Sequence, residues 1–320
     1  MNYVLQCLIL TKPFMYEIQD SHHIMPCDAH TIGFYIICAL HSLFISMVNY
    51  TSQALYVYKF VHHTSLFSSS FTIFKQEDAH EFLLGVLNPL EMKFDDSSLL
   101  SIYKPGHVLN LAKAFFLCHT SSTISCSNCP YTSVQSEPCY GPSLGYTEEM
   151  SLFSALSFYT STKEISDMSC NGCELKVTTK KRVVFEEGVS FLILQLNSSL
   201  CPKVNIKGHI DFPLSLVMAQ YSFATESLDY DFYGFIVHVG EFASSGHYYA
   251  FIFESSSLYK LNNEDIDPVD EHEVLKQEAY ILFYKRPAIN MNAHPINFDP
   301  MSDESSEEQC PIPKGMIHHF

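Results

Sequence analysis

A chain of 320 residues, 47% hydrophobic and 14% aromatic, has ample apolar material for a sizeable core. Its formal charge of −17, from 18 Lys and Arg against 35 Asp and Glu, argues against nucleic-acid binding, which wants a basic face, and suits a basic partner. The longest apolar stretch, near Ile32 to Leu40, is too short to cross a membrane, and Met1 to Thr11 lacks the basic start of a secretory signal. No membrane association is expected, and the reading is an intracellular protein of the cytoplasm, the nucleus or both.

In chain order, residues 1 to about 20 predict one helix, with Val4, Leu5, Leu8 and Ile9 apolar at helical spacing and Pro13 marking its end. Thr31 to Val48 predicts a second helix. Within and before it, Cys27-x2-His30 and Cys38-x2-His41 have metal-like spacing, but Cys38 and His41 fall in an apolar helical stretch, so packing is the reading adopted. A third helix is predicted over Gln76 to Leu87, its face carried by Ala79, Phe82, Leu83 and Val86. Asp78 and Glu81 lie three apart there and share a helix surface, as a pair meeting arginines would, or as a plain solvated acidic face.

Ser121 to Val177 is rich in Ser, Thr and Cys and can bury little, which predicts an inserted element ordered by metal. It holds Cys126-Ser127-Asn128-Cys129 and Cys170-Asn171-Gly172-Cys173, two Cys-x2-Cys knuckles 41 residues apart. Four thiolates in two such pairs suit tetrahedral zinc, each pair spanning one edge of the tetrahedron. The role would be structural, because four thiolates leave no open position; no catalytic cofactor is expected.

From Val183 onward, short apolar runs predict strands: Val189 to Leu196, Tyr233 to Val239, Tyr248 to Phe253 and Ala279 to Tyr284. His247 follows a Ser-Ser-Gly turn and opens one of these. Rigid anchorage on a strand suits a general base, although a histidine simply filling an edge position reads the same way. Leu258 to Asp265 follows, ending in amides and carboxylates that either orient an imidazole or form a hairpin turn. After Pro287 the sequence turns acidic, through Asp303, Glu304, Glu307 and Glu308, and predicts a disordered tail.

Four separated blocks together resemble the ubiquitin-specific protease family, the largest class of ubiquitin carboxyl-terminal hydrolases. They are Met1-Asn2-Tyr3-Val4-Leu5-Gln6-Cys7-Leu8, Gln76-Glu77-Asp78-Ala79-His80-Glu81-Phe82-Leu83, Tyr233 to Phe253 with its Ser-Gly-His-Tyr-Tyr, and Ala279 to Tyr284. The resemblance implies an α+β, papain-like cysteine protease fold over residues 1–286. Its parts would be a helical thumb (1–117), zinc-bearing fingers (118–180) and a sheet-rich palm (181–286), with residues 287–320 as the tail. It implies His247 as general base and Asn262 as orienting residue. Asp78 and Glu81 would grip the basic C-terminal tail of ubiquitin, and Cys126, Cys129, Cys170 and Cys173 would hold structural zinc. The reaction implied is thiol-dependent hydrolysis after the terminal glycine of ubiquitin.

The family nucleophile stands in Gly-Asn-Thr-Cys followed by an aromatic, which here would fall just ahead of Met1, the cysteine two residues before it. The chain as given is therefore expected to lack nucleophile and oxyanion donor together, and to be inactive unless a preceding segment supplies them. Cys7 lies eight residues further along the helix, about 12 Å away at ~1.5 Å per residue, and reads as core packing. The alternative is a catalytically dead ubiquitin-binding or scaffold protein. Departures from the family include Leu194-Gln195-Leu196-Asn197 for Leu-Lys-Arg-Phe and Leu258 for Trp.

Overall fold

The computed structural model describes residues 1–20, 36–49, 57–92, 111–146, 150–197, 208–224, 227–242, 245–254, 256–263 and 265–287. The expected acidic tail falls almost wholly outside these. The N-terminal part is helical. α1 (Asn2–Ile9) buries every residue from Tyr3 to Ile9, so it lies inside the molecule rather than on its surface. The expected single helix to about residue 20 is corrected: the chain breaks at Leu10 and Thr11, and α2 (Lys12–Asp20) follows. Pro13 does not end a helix but sits in the first turn of α2, where its missing N–H removes a donor that had no partner anyway. The Thr11 hydroxyl, between the two, donates to the Cys7 carbonyl and pairs with the Tyr233 hydroxyl.

α3 (Ile36–Asn49) falls within the predicted second helix, whose first residues lie outside the described ones. α4 (Tyr58–Val61) is one turn, and α5 (Ala79–Met92) begins three residues later than predicted because Asp78 caps it. α6 (Leu111–Phe116) closes this layer.

From Cys118 the chain runs through β1 (Cys118–Cys126), β2 (Thr132–Cys139), β3 (Ser143–Gly145), α7 (Leu152–Thr160), β4 (Lys163–Ser169) and β5 (Lys176–Phe185). β2, β1, β5 and β4 form a four-stranded antiparallel sheet in that order. β3 leaves it to pair in parallel with β6 (Phe191–Asn197) in a second sheet. That sheet continues with β7 (Ser215–Val217), β8 (Asp229–Phe242), β9 (Ser245–Glu254), β10 (Ser257–Asn262), β11 (Asp265–Val269), the short α8 (Glu271–Val274) and β12 (Ala279–Lys285). Its order is β11-β10-β9-β8-β12-β6-β3, with β7 paired to β8.

The second sheet is buried on both faces, which is why its central strands read as unbroken apolar runs. On β6, Phe191 and Ile193 face the helices while Leu192, Leu194 and Leu196 face the opposite core; on β12, Ile281 and Phe283 divide from Leu282 and Tyr284 in the same alternation. The helical core gathers Val4, Leu5, Leu8, Phe14, Phe82 and Phe116 against the sheet. The other core is covered by α7 and by Leu216, Phe212 and Tyr221. Leu258, where the family has Trp, is buried in this second core. No helix among the described residues is long and apolar enough to cross a membrane.

Candidate active site

The β8–β9 hairpin sets His247. Gly246 has φ +134°, and a Cβ there would stand 2.3 Å from the Val239 carbonyl oxygen, so only glycine fits the step before the histidine. The Gly246 N–H donates to Gln76 Oε1 at 2.9 Å, tying the hairpin tip to the segment ahead of α5. His247 Nε2 lies 2.7 Å from Asn262 Oδ1 at the end of β10. An amide oxygen only accepts, so Nε2 carries the ring proton and the lone pair sits on Nδ1. The imidazole is exposed, and its ring lies stacked beside Tyr249 at 6.1 Å.

Asn263, at φ +60°, turns the chain after Asn262. Its N–H donates to the Tyr3 hydroxyl at 2.9 Å, and that hydroxyl donates back to Asn263 Oδ1 at 3.4 Å. Tyr3 is in the first turn of α1, so the start of that helix is fastened beside the His247–Asn262 pair.

Asp78 has three partners. Its Oδ1 accepts from the backbone N–H groups of His80 at 2.7 Å and Glu81 at 3.2 Å, and the Tyr280 hydroxyl donates to Oδ1 and Oδ2 at 2.9 and 3.0 Å. Burial, and then Asp78, push the Tyr280 phenol up, so it stays a donor; Gln195 Nε2 donates to it in turn at 3.1 Å. Glu81 is exposed in the first turn of α5 and accepts from the Ser68 and Ser70 hydroxyls. The acidic pair thus consists of one cap and one helix residue, not two residues of one helix face.

Cys7 is wholly buried; burial alone pushes its thiol up, and its sulfur lies 3.7 Å from where a Cβ on Gly234 would stand. Among the described residues no cysteine is hydrogen-bonded to His247. Cys38 is buried on α3, whereas Cys27 and His30 lie outside the described residues.

At the far tip of the four-stranded sheet, the β1–β2 and β4–β5 turns meet because β1 pairs with β5, Cys126 opposite Thr179. This register closes the 41-residue gap between knuckles. The sulfurs of Cys126, Cys129, Cys170 and Cys173 all lie within 4.8 Å of one another, with Cys129 to Cys170 at 3.6 Å and Cys126 to Cys173 at 4.0 Å. A tetrahedron with metal–sulfur bonds of ~2.3 Å sets sulfurs about 3.8 Å apart, so the cluster can hold a metal ion. A Cβ on Gly172 would stand 2.5 Å from that of Tyr131 and 3.2 Å from the Cys129 sulfur, so glycine is what lets one knuckle close on the other. Backbone N–H groups of Cys173 and Gly172 pull the Cys170 thiol down to about 6, toward the thiolate a metal takes. Cys129 moves the other way, to about 12: the Tyr131 N–H favours its thiolate, but desolvation and the three neighbouring sulfurs outweigh it.

Sequence reasoning did not single out Tyr3, Gln76, Tyr280 or Gln195. Gln76 stood inside a recognised block, and Gln195 was noted only as a departure; neither carries a signal of contacts made 170 and 85 residues away.

A two-faced sheet under a helical layer, with a histidine–asparagine pair where β9 begins and β10 ends and a four-cysteine tip on a separate sheet, has the α+β, papain-like fold. The ubiquitin carboxyl-terminal hydrolase family model matches residues 1–284, and the chain belongs to that family. Ubiquitin carboxyl-terminal hydrolase 21 of Arabidopsis thaliana is 28% identical over 93% of this chain and 44% of its own length. The human ubiquitin carboxyl-terminal hydrolase 42 is 24% identical over 89% of this chain and 22% of its own. The chain thus spans less than half the length of these relatives. Among solved structures, the SAGA DUB module of Ubp8, Sgf11, Sus1 and Sgf73 bound to monoubiquitin matches with TM-score 0.70 and 22% identity, over 89% of this chain and 66% of that one. The yeast SAGA DUB module carrying an Sgf73 mutant matches with TM-score 0.71 and 23% identity, over 89% and 65%. These two likenesses are of fold.

Proposed function

We propose that this chain is the ubiquitin-binding and proton-transfer part of a deubiquitinating cysteine protease, with a thumb (1–117), fingers (118–180) and palm (181–286). The observation that carries the reading is the 2.7 Å contact of His247 Nε2 with Asn262 Oδ1 beside the start of α1. In that role Nδ1 accepts a proton from a thiol, and the Asn262 oxygen steadies the ring and the imidazolium that forms. The thiolate attacks the carbonyl of the terminal glycine of ubiquitin, the imidazolium gives its proton to the departing amine as the amide bond breaks, and water then hydrolyses the thioester to free the glycine carboxylate and the thiol. A cysteine placed two residues before Met1 would stand at the start of α1, where the helix dipole favours a thiolate. In this reading the 320 residues bind ubiquitin, and Cys7, sealed in the core, does not serve as the nucleophile.

Glu81, exposed and held by two serines, and Asp78, fixed by its cap and by Tyr280, would pair with arginines of the ubiquitin tail. Cys126, Cys129, Cys170 and Cys173 would hold zinc, supplying order to the fingers and no chemistry to the reaction.

The test is calorimetric titration of the chain with ubiquitin. Glu81→Lys, which spares the Asp78 cap, is expected to weaken binding about tenfold, ~1.4 kcal/mol. A folded chain that does not bind ubiquitin, or binding indifferent to Glu81→Lys, would favour a zinc-stabilised module for some other partner.

A further inference from the structure

We propose that Cys118 and Cys139 are a redox pair that closes into a reversible disulfide when a small-molecule disulfide such as oxidised glutathione reaches the protein. The two sulfurs lie 3.0 Å apart, and the residues are directly opposed in the β1–β2 ladder, at the start of one strand and the end of the other. Opposed residues in an antiparallel pair have Cα atoms about 4.5 to 5.5 Å apart, inside the range of about 4.4 to 6.8 Å that a disulfide spans. The sulfurs have about 1 Å left to travel to bonding distance. The pair stands at the root of the first finger hairpin. Cys118 and Cys126 stand eight residue steps apart on β1, roughly 26 Å at ~3.3 Å per step, so these sulfurs are not part of the metal cluster at the tip.

The environment assigns the two sulfurs different parts. Cys139 is half-buried and reachable, whereas Cys118 is 2% exposed. Cys118 and Cys139 are hydrogen-bonded to each other, a contact that draws the Cys139 thiol down and pushes the Cys118 thiol up. The Cys139 thiolate therefore attacks one sulfur of oxidised glutathione, giving a mixed disulfide and one glutathione thiolate. Cys118 then loses its proton to solvent, and its sulfur attacks the Cys139 sulfur and expels the second glutathione thiolate. Two protein thiols are oxidised and one glutathione disulfide is reduced to two thiols. The bond closes a loop over β1, its turn and β2, with the first knuckle inside it.

The experiment treats the folded, zinc-loaded 320-residue chain with oxidised glutathione and maps its peptides without reduction. The expected result is a linked pair of peptides holding Cys118 and Cys139, lighter by two hydrogens and separated again by dithiothreitol. Cys118→Ser is expected to stop at Cys139 bearing glutathione, and Cys139→Ser to leave Cys118 unmodified. Two free thiols in the treated wild-type chain would overturn the proposal, as would glutathione on Cys118 in Cys139→Ser. Should either variant fail to fold, the wild-type map decides alone.

Discussion

The finger sheet and the His247 region are built from different materials. The outer strands β2 and β4 are mostly exposed, and what the finger gathers at its tip is four sulfurs rather than a core. The His247 region instead rests on a sheet buried on both faces, and its polar contacts join residues far apart in sequence: Tyr3 with Asn263, Gln76 with Gly246, Asp78 with Tyr280. One region offers four thiols that can hold a metal ion, the other is held by packing. A perturbation of either should therefore leave the other standing.

Removing metal should make the largest change and is the sharpest way to break the comparison. Structural zinc is worth about 10 to 16 kcal/mol of folding free energy in isolated fingers, so a strong chelator, or Cys170→Ser, should strip amide-exchange protection from β1, β2, β4 and β5. β6, β8 and β12 should keep theirs. Phe283→Ala is the reverse experiment: it empties a fully buried site in the helical core and should cost about 3 to 5 kcal/mol in denaturant unfolding, with the metal still bound at the tip. Tyr280→Phe removes the hydroxyl from the Asp78 carboxylate and should cost about 1.5 to 3 kcal/mol, read by the same denaturant curves.

His80 sharpens the comparison by pH. Burial lowers its pKa below the ordinary imidazole value of 6.5, against the pull of Asp78 and the Gly141 backbone. The unfolded chain therefore binds a proton here before the folded one does. The contribution of neutral His80 is fully present above pH 6.5 and is lost as pH falls from there through the folded pKa. Unfolding free energy measured across that window should fall less steeply in His80→Gln. Smallest is Tyr3→Phe, about 1 kcal/mol or less, since only one hydroxyl joining α1 to Asn263 is lost.

The two regions also differed in how far the sequence disclosed them. Spacing alone announced Cys126, Cys129, Cys170 and Cys173, because two short ligand pairs are a local pattern; it took the β1–β5 register to bring them together. His247 and Asn262, 15 residues apart, were ambiguous until four blocks were read as a set. Asp78 was visible as an acid but not as a cap, since a cap is defined by the N–H groups it satisfies. The single helix expected to residue 20 failed because Pro13 reads the same whether it ends a helix or opens one. Cys118 and Cys139 carried no motif at all, and only the strand register sets their sulfurs face to face.

The central claim is that His247 and Asn262 form a general base aimed at the start of α1. It is tested most directly by fusing Gly-Asn-Thr-Cys-Phe ahead of Met1 and exposing both chains to ubiquitin with a thiol-reactive C-terminal warhead. The account predicts a covalent adduct on the fused cysteine, lost in His247→Ala, and none on the 320-residue chain. An adduct on the unextended chain, or none on a folded extended chain that binds ubiquitin, would contradict it.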